Sequence, residues 1–247
     1  MRANLDAPDA AATLAALFKV LSTPANHPPE WKCPRCTQSI APAAESCPHC
    51  GYTLAVTDEV FGGDAVLLER VTDAAGVLSA TDMERVTLAL AKFEAQFPQL
   101  FAAVYCGALP VQTSLRQFGF WLLNRAAVPD LDATRANENG ALLVVDVHGR
   151  AATVVPGYFL ECYLNERDLL RVLEAGRKSY QRGLWADGLC ASLRELTTRV
   201  RRRAAEAAKS PERFAPPRPP AEPVVPSFKR LREGHRRGEN AEHQRHK

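Results

Sequence analysis

Seven cysteines occur in this 247-residue chain, and four of them are arranged to hold a metal. Cys33-Pro34-Arg35-Cys36 and Cys47-Pro48-His49-Cys50-Gly51 are two Cys-Pro-X-Cys pairs separated by ten residues. Thiolates are soft ligands, and structural Zn2+ takes four ligands at the corners of a tetrahedron. Two residues between cysteines let both sulfurs of one tight turn face the same ion. The prolines fix φ beside the first sulfur of each pair, and Gly51 supplies a residue that can leave its turn at positive φ. The doubled spacing predicts a zinc ribbon with structural Zn2+ on Cys33, Cys36, Cys47 and Cys50. A redox dithiol, which needs one pair only, and an iron site of the rubredoxin kind are the alternatives. A closed four-sulfur site stabilises a fold and keeps no open position for catalysis.

Few other residues carry a chemical signature. No Gly-rich nucleotide loop is present, and Cys106 is not a Cys-x5-Arg nucleophile because Gln112 stands where the arginine would be. Cys162 and Cys190 read as small core residues, and His148 as a solvated turn residue. Unpaired cysteines beside a thiolate site point to a reducing compartment, the cytoplasm. No run of about 18 apolar residues exists, so no membrane span is expected. Asp6 and Asp9 precede the apolar stretch near the N-terminus, which argues against a secretory signal.

Four zones position these residues. Residues 1–30 hold a short amphipathic helix over 9–22 and a proline-rich linker over 24–29. Residues 31–56 form the ribbon, closed by a strand-like run from Tyr52 to Val56. Residues 64–203 form the main domain, and residues 204–247 a disordered Pro/Arg-rich tail. Residues 199–247 carry 14 Lys/Arg against 6 Asp/Glu, a net of +8. Arg199, Arg201, Arg202 and Arg203 suit the negative pole of a helix end. No base-reading element accompanies the tail, so nucleic acid is a less apt partner than a protein docked by the ribbon or the tail.

Within the main domain, residues 64–71 are a strand or its lead-in, and Thr81-Asp-Met-Glu84 is a capping box. Met83, Val86, Leu90, Phe93 and Phe97 then mark one helix face, stopped by Pro98. Leu100 to Cys106 is a buried strand, and a second helix starts near Ser114. A polar loop follows over residues 130–140. Residues 141–147 and 151–155 form a hairpin around His148-Gly-Arg150. Asn165 to Asp168 opens a third helix, and Trp185 to Val200 marks a last one. Strands interleaved with helices, plus one antiparallel hairpin, give an α/β layered domain with a mixed sheet.

Three strings in this order resemble the TPM domain family: Val71-Thr-Asp-Ala-Ala-Gly-Val-Leu-Ser79, Glu138-Asn-Gly-Ala-Leu-Leu-Val-Val145 and Val155-Pro-Gly-Tyr-Phe-Leu-Glu161. The resemblance covers residues 64–198 and implies a Rossmann-like α/β sandwich. It also implies Ca2+ or Mg2+ binding and the acid phosphatase activity attributed to some members. Known branches include a thylakoid-lumen protein, bacterial envelope proteins and a receptor-associated animal group. On the matching strings, Asp73, Glu138 and Glu161 are the candidate ligands for a shared divalent ion that orients a phosphate and its attacking water. Their structural alternatives are an Asx turn for Asp73 and a carboxylate bonded to loop amides for Glu161. Phe159 stands where the family has glycine, and Glu138 where Asp or Asn is usual.

Overall fold

The computed structural model describes residues 31–41, 44–129, 139–210 and 214. The predicted helix at 9–22, the linker at 24–29 and most of the tail lie outside the described residues. So does most of the polar loop, including Glu138.

The ribbon opens with β1 (Trp31–Lys32) and β2 (Ser39–Ile40), an antiparallel pair that sets Trp31 opposite Ile40. The strand expected through Val56 is replaced by α1 (Leu54–Phe61). Thr53 caps this helix, its hydroxyl accepting the Val56 amide at 3.4 Å. Leu54 and Thr57 bury one turn apart on the same face. Capping and packing here override the β-propensity of the string.

Residues 64–71 divide between β3 (Val66–Leu67) and β4 (Val71–Asp73). The helix that follows, α2 (Ala80–Gln96), is capped by Ser79 and not by the Thr81 box. The Ser79 hydroxyl oxygen accepts the Asp82 amide at 3.1 Å. Asp73 explains the earlier start, because its carboxylate accepts the Leu78 amide at 2.7 Å and steers the chain into Ser79. After Pro98 come β5 (Phe101–Gly107) and α3 (Leu115–Arg125), whose cap is Ser114. Next come β6 (Ala126–Ala127), β7 (Gly140–Asp146) and β8 (Ala151–Pro156). The chain closes with α4 (Tyr158–Glu161), α5 (Glu166–Gln181) and α6 (Trp185–Lys209). α5 starts where expected, and Asn165 and Asp168 close a capping box there.

The main sheet has the order β4-β5-β7-β8, with the first three strands parallel and β8 antiparallel to β7. β3 and β6 form a separate two-residue parallel ladder. Helices cover both faces, which is why β5 and β7 are almost wholly apolar. Val104, Cys106, Leu143 and Val145 face α2, α5 and α6, burying against Phe93, Leu193 and Leu196. Phe101, Ala103, Leu142 and Val144 face α3, where Phe118, Trp121 and Leu122 cover them. The result is the α/β layered sandwich with a mixed sheet that the periodicities predict. The division read at residue 203 falls inside α6, which continues to Lys209 because Ala204 and Ala207 bury beside Tyr163. No helix among the described residues is long and apolar enough to cross a membrane.

Candidate metal centre and the acidic residues

Each cysteine pair sits on a turn closed by its own backbone. The Thr37 amide donates to the Cys33 carbonyl at 3.0 Å, and the Gly51 amide to the Cys47 carbonyl at 2.8 Å. Both turns exit through the left-handed region, at Gly51 (φ 68°) and at Thr37 (φ 62°). Gly51 is visible in the sequence, whereas nothing marks a threonine for that conformation.

The turns bring the four Sγ atoms within 4.8 Å of one another. Cys33 and Cys50 Sγ are 3.7 Å apart, and Cys36 and Cys47 Sγ are 3.6 Å apart. A tetrahedron with Zn–S bonds of about 2.3 Å has edges of about 3.8 Å, so the thiols already lie at coordination spacing. They are far too distant for disulfides, and all seven cysteines are free. Burial pushes the Cys33 thiol up to about 12. Burial acts on Cys47 in the same sense, but the His49 and Cys50 amides bring it down to about 6. His49 is not in the group. Among the described residues, these cysteines are the one cluster of three or more Cys, His, Asp or Glu side chains that can hold a metal ion.

The ribbon is seated on the main domain by aromatic rings. Trp31 stacks on Tyr158 with centroids 4.3 Å apart, and Tyr52 meets Phe120 edge-on at 6.0 Å. Below them, α1 is tied to α3 by the Arg125–Asp58 ion pair and by the Trp121 indole N–H, which donates to the Gly62 carbonyl at 2.8 Å. Sequence reasoning misses Phe120 and Tyr158 as a docking surface. Their only sequence signal is the pair of aromatics, Trp31 and Tyr52, that brackets the cysteines.

The two candidate carboxylates among the described residues, Asp73 and Glu161, do not converge. Asp73 ends β4, level with Cys106 on β5 and Val145 near the end of β7. One of its oxygens accepts the Leu78 amide, and the other, Oδ1, is buried without a hydrogen bond among the described residues. Glu161 lies beyond the opposite end, because β8 runs backwards: Gly157 donates to the carbonyl of Gly140, where β7 begins. Val145 is four residues along the strand from Ala141, the partner of Pro156, and each step rises about 3.4 Å. Asp73 and Glu161 therefore cannot share one cation. A residue missed in sequence, Asp146, ends β7 on the same side as Asp73. Its carboxylate accepts the amides of Leu109, His148 and Gly149 at 3.1–3.2 Å, closing the β7–β8 turn. The string Val-Val-Asp before a glycine turn was its available signal.

Glu161 sits instead at the joint between ribbon and domain. Burial pushes its carboxyl up to about 7 from an ordinary 4.5, while Arg116, the Lys32 amide and the Lys32 ammonium pull the other way. An acid held above its ordinary value binds its proton more tightly in the folded chain than in the unfolded one. The stability this contributes is full below about pH 4.5 and is lost as pH rises through about 7. Glu161→Gln is expected to flatten that slope and raise stability near pH 8 by about 2–3 kcal/mol, read from urea midpoints at two pH values.

The remaining thiols are not poised nucleophiles. Burial pushes Cys106 and Cys162 up to about 12 and raises Cys190. Phe159, in place of the family's glycine, packs on Tyr163 with centroids 4.9 Å apart. It keeps an ordinary negative φ, so the substitution fills the α4–α6 corner without backbone strain.

Comparison with known proteins finds two family models on the chain. Residues 32–54 match the uncharacterised protein family UPF0547. Among curated proteins, none matches at a significant level. Two solved structures are similar to part of the chain. One is the N-terminal domain of the cg2496 protein from Corynebacterium glutamicum (14% identity, TM-score 0.42, 53% of this chain and 78% of that one). The other is the N-terminal domain of a protein from P. gingivalis (24% identity, TM-score 0.44, 53% of this chain and 80% of that one). The TPM domain profile matches residues 71–199, just over half the chain, and the chain belongs to the TPM domain family.

Proposed function

We propose that this chain is a non-catalytic recognition protein whose four cysteines hold one structural Zn2+ and thereby brace a ribbon against a TPM domain. The observation that carries the reading is the separation of the acidic residues. Asp73 and Glu161 occupy opposite ends of the sheet, and loop amides engage both oxygens of Asp146. Four thiolates satisfy the zinc ion, so it supplies shape without reactivity. Thiolate sulfur and tetrahedral spacing favour zinc over hard cations. Seven free thiols suit a reducing compartment, the cytoplasm.

A second reading, a Ca2+ or Mg2+ site supporting phosphate-monoester hydrolysis, is favoured by one observation: the buried Oδ1 of Asp73 has no hydrogen-bond donor among the described residues. The test is hydrolysis of an aryl phosphate by the full, zinc-loaded chain with and without Ca2+ or Mg2+, beside Asp73→Asn. The recognition reading predicts equal background turnover in every sample. Metal-dependent turnover that Asp73→Asn abolishes would replace it with the hydrolase reading.

A further inference from the structure

Among the described residues, the outer edge of β8 is an unfilled strand position. Gly157 donates to Gly140 at 2.6 Å, which fixes the alternation of the β7–β8 ladder. Residues 151, 153 and 155 thus exchange hydrogen bonds with β7, and the N–H and C=O groups of Ala152 and Val154 point away from it. β8 ends the strand order, and no bond from another described element reaches either amide. Edges of this kind are usually covered, charged or bulged. Here Pro156 removes one donor at the end of the strand, and no described residue bonds to the rest of the edge.

Thr153 to Pro156 of this strand line a groove of about 700 Å3 between α3 and α5, with Ala152 just beyond it. Successive residues of a strand laid on the edge would face opposite walls. The α5 wall is apolar: Leu169 and Leu173 are half-buried, and Leu170 is 56% exposed. Arg116 stands on the α3 wall and Arg167 at the first turn of α5. Neither guanidinium has an ion pair within 4.0 Å among the described residues, although Arg116 acts on Glu161 at longer range. Glu161 and Glu166 also line the groove, but Lys32 joins the two arginines, and this cationic excess facing an apolar wall favours a strand that alternates apolar with acidic side chains.

We propose that the β8 edge binds an extended acidic peptide as a fifth, antiparallel or parallel, strand of the sheet. Main-chain bonds to Ala152 and Val154 hold it, its apolar residues face Leu169, Leu170 and Leu173, and its carboxylates face Arg116 and Arg167. The mode is strand addition at a sheet edge, with the side-chain alternation setting specificity. This rests on the recognition reading above and names the class of partner that the reading requires.

The test uses the full zinc-loaded chain and a labelled ten-residue peptide of alternating Glu and Val, with the Lys–Val peptide as control. Fluorescence anisotropy gives affinity, and amide exchange by NMR gives the position. The expected result is saturable binding of the Glu–Val peptide alone and slowed exchange at Ala152 and Val154. Arg116→Glu and Leu170→Asp, both at solvent-accessible positions, should each weaken binding tenfold or more with the sheet amides of β5 and β7 unchanged. No binding at about 1 mM peptide, or protection elsewhere, overturns the proposal. Protection of the same two amides by raising protein concentration without peptide assigns the edge to a second copy and also overturns it. Aryl phosphate turnover in the same samples separates failure of this partner from failure of the recognition reading.

Discussion

Cys33→Ser, or chelation of the wild-type protein, is expected to unfold residues 31–52 while the main domain stays folded. The ribbon's own resources are small: a two-residue ladder and a buried cluster of Cys33, Cys47 and Tyr52. Ordering one residue costs about 1–2 kcal/mol of backbone entropy, so some twenty residues cannot be held by that cluster. Small folds held by structural zinc are unfolded without it, so the ion is expected to decide whether this ribbon folds. The main domain has two separate cores on either face of its sheet and does not depend on the ion. Thermal unfolding followed by circular dichroism should retain its main transition after chelation. Trp31 fluorescence should shift red as the stack on Tyr158 opens. Because Glu161 is half-buried at this joint, the same treatment should lower its raised pKa toward the ordinary value.

Arg203→Met is expected to cost about 3–5 kcal/mol, a large share of the total for a domain of this size. Asp168 is only 5% exposed and already has a structural task, accepting the Asn165 amide to close the capping box of α5. Arg203 donates to it from α6 at 2.7 Å, and Arg199 is 4.0 Å away. The methionine keeps much of the apolar stem but leaves a buried carboxylate short of its nearest cation. That uncompensated charge, rather than the lost attraction, sets the size of the effect. Guanidinium titration of both proteins measures it. Asp168→Asn in the Arg203→Met background should recover part of the loss, because the orphaned charge is then gone.

The contrast between these two sites shows what the sequence could disclose. The ribbon's ligands were readable because spacing within a turn is local, and the geometry of four sulfurs follows from two short strings. The hairpin of β7 and β8 and the stripe of α2 were readable for the same reason: period and turn chemistry are local properties. Arg203 was legible only as a charge at a helix end, since its partner is 35 residues away on a different helix. Misread elements mark competition between two local signals. Tyr52 to Val56 looks like a strand until Thr53 caps a helix, and Thr81 looks like a cap until Asp73 fixes Leu78 and hands the role to Ser79.

Asp73 and Glu161 lie apart for a deeper reason. The sequence marks β7 and β8 as an antiparallel hairpin but does not say which way β4 runs beside them. With β4 parallel to β7, Asp73 falls at one end of the sheet and the chain after β8 at the other. The surface that seats the ribbon was equally hidden, because Phe120 and Tyr158 come from elements far from the cysteines and read as ordinary core aromatics.

Hydrogen exchange of the full chain, before and after chelation, measures most directly whether the zinc braces the ribbon onto the domain. Exchange should rise in residues 31–52 and, with them, in residues 117–124 and 157–161, which carry Phe120, Tyr158 and Glu161. The strands at 101–107 and 141–145 should stay protected. A ribbon that unfolds on chelation while 117–124 and 157–161 keep their protection, or a purified chain without one zinc per molecule, would contradict the account.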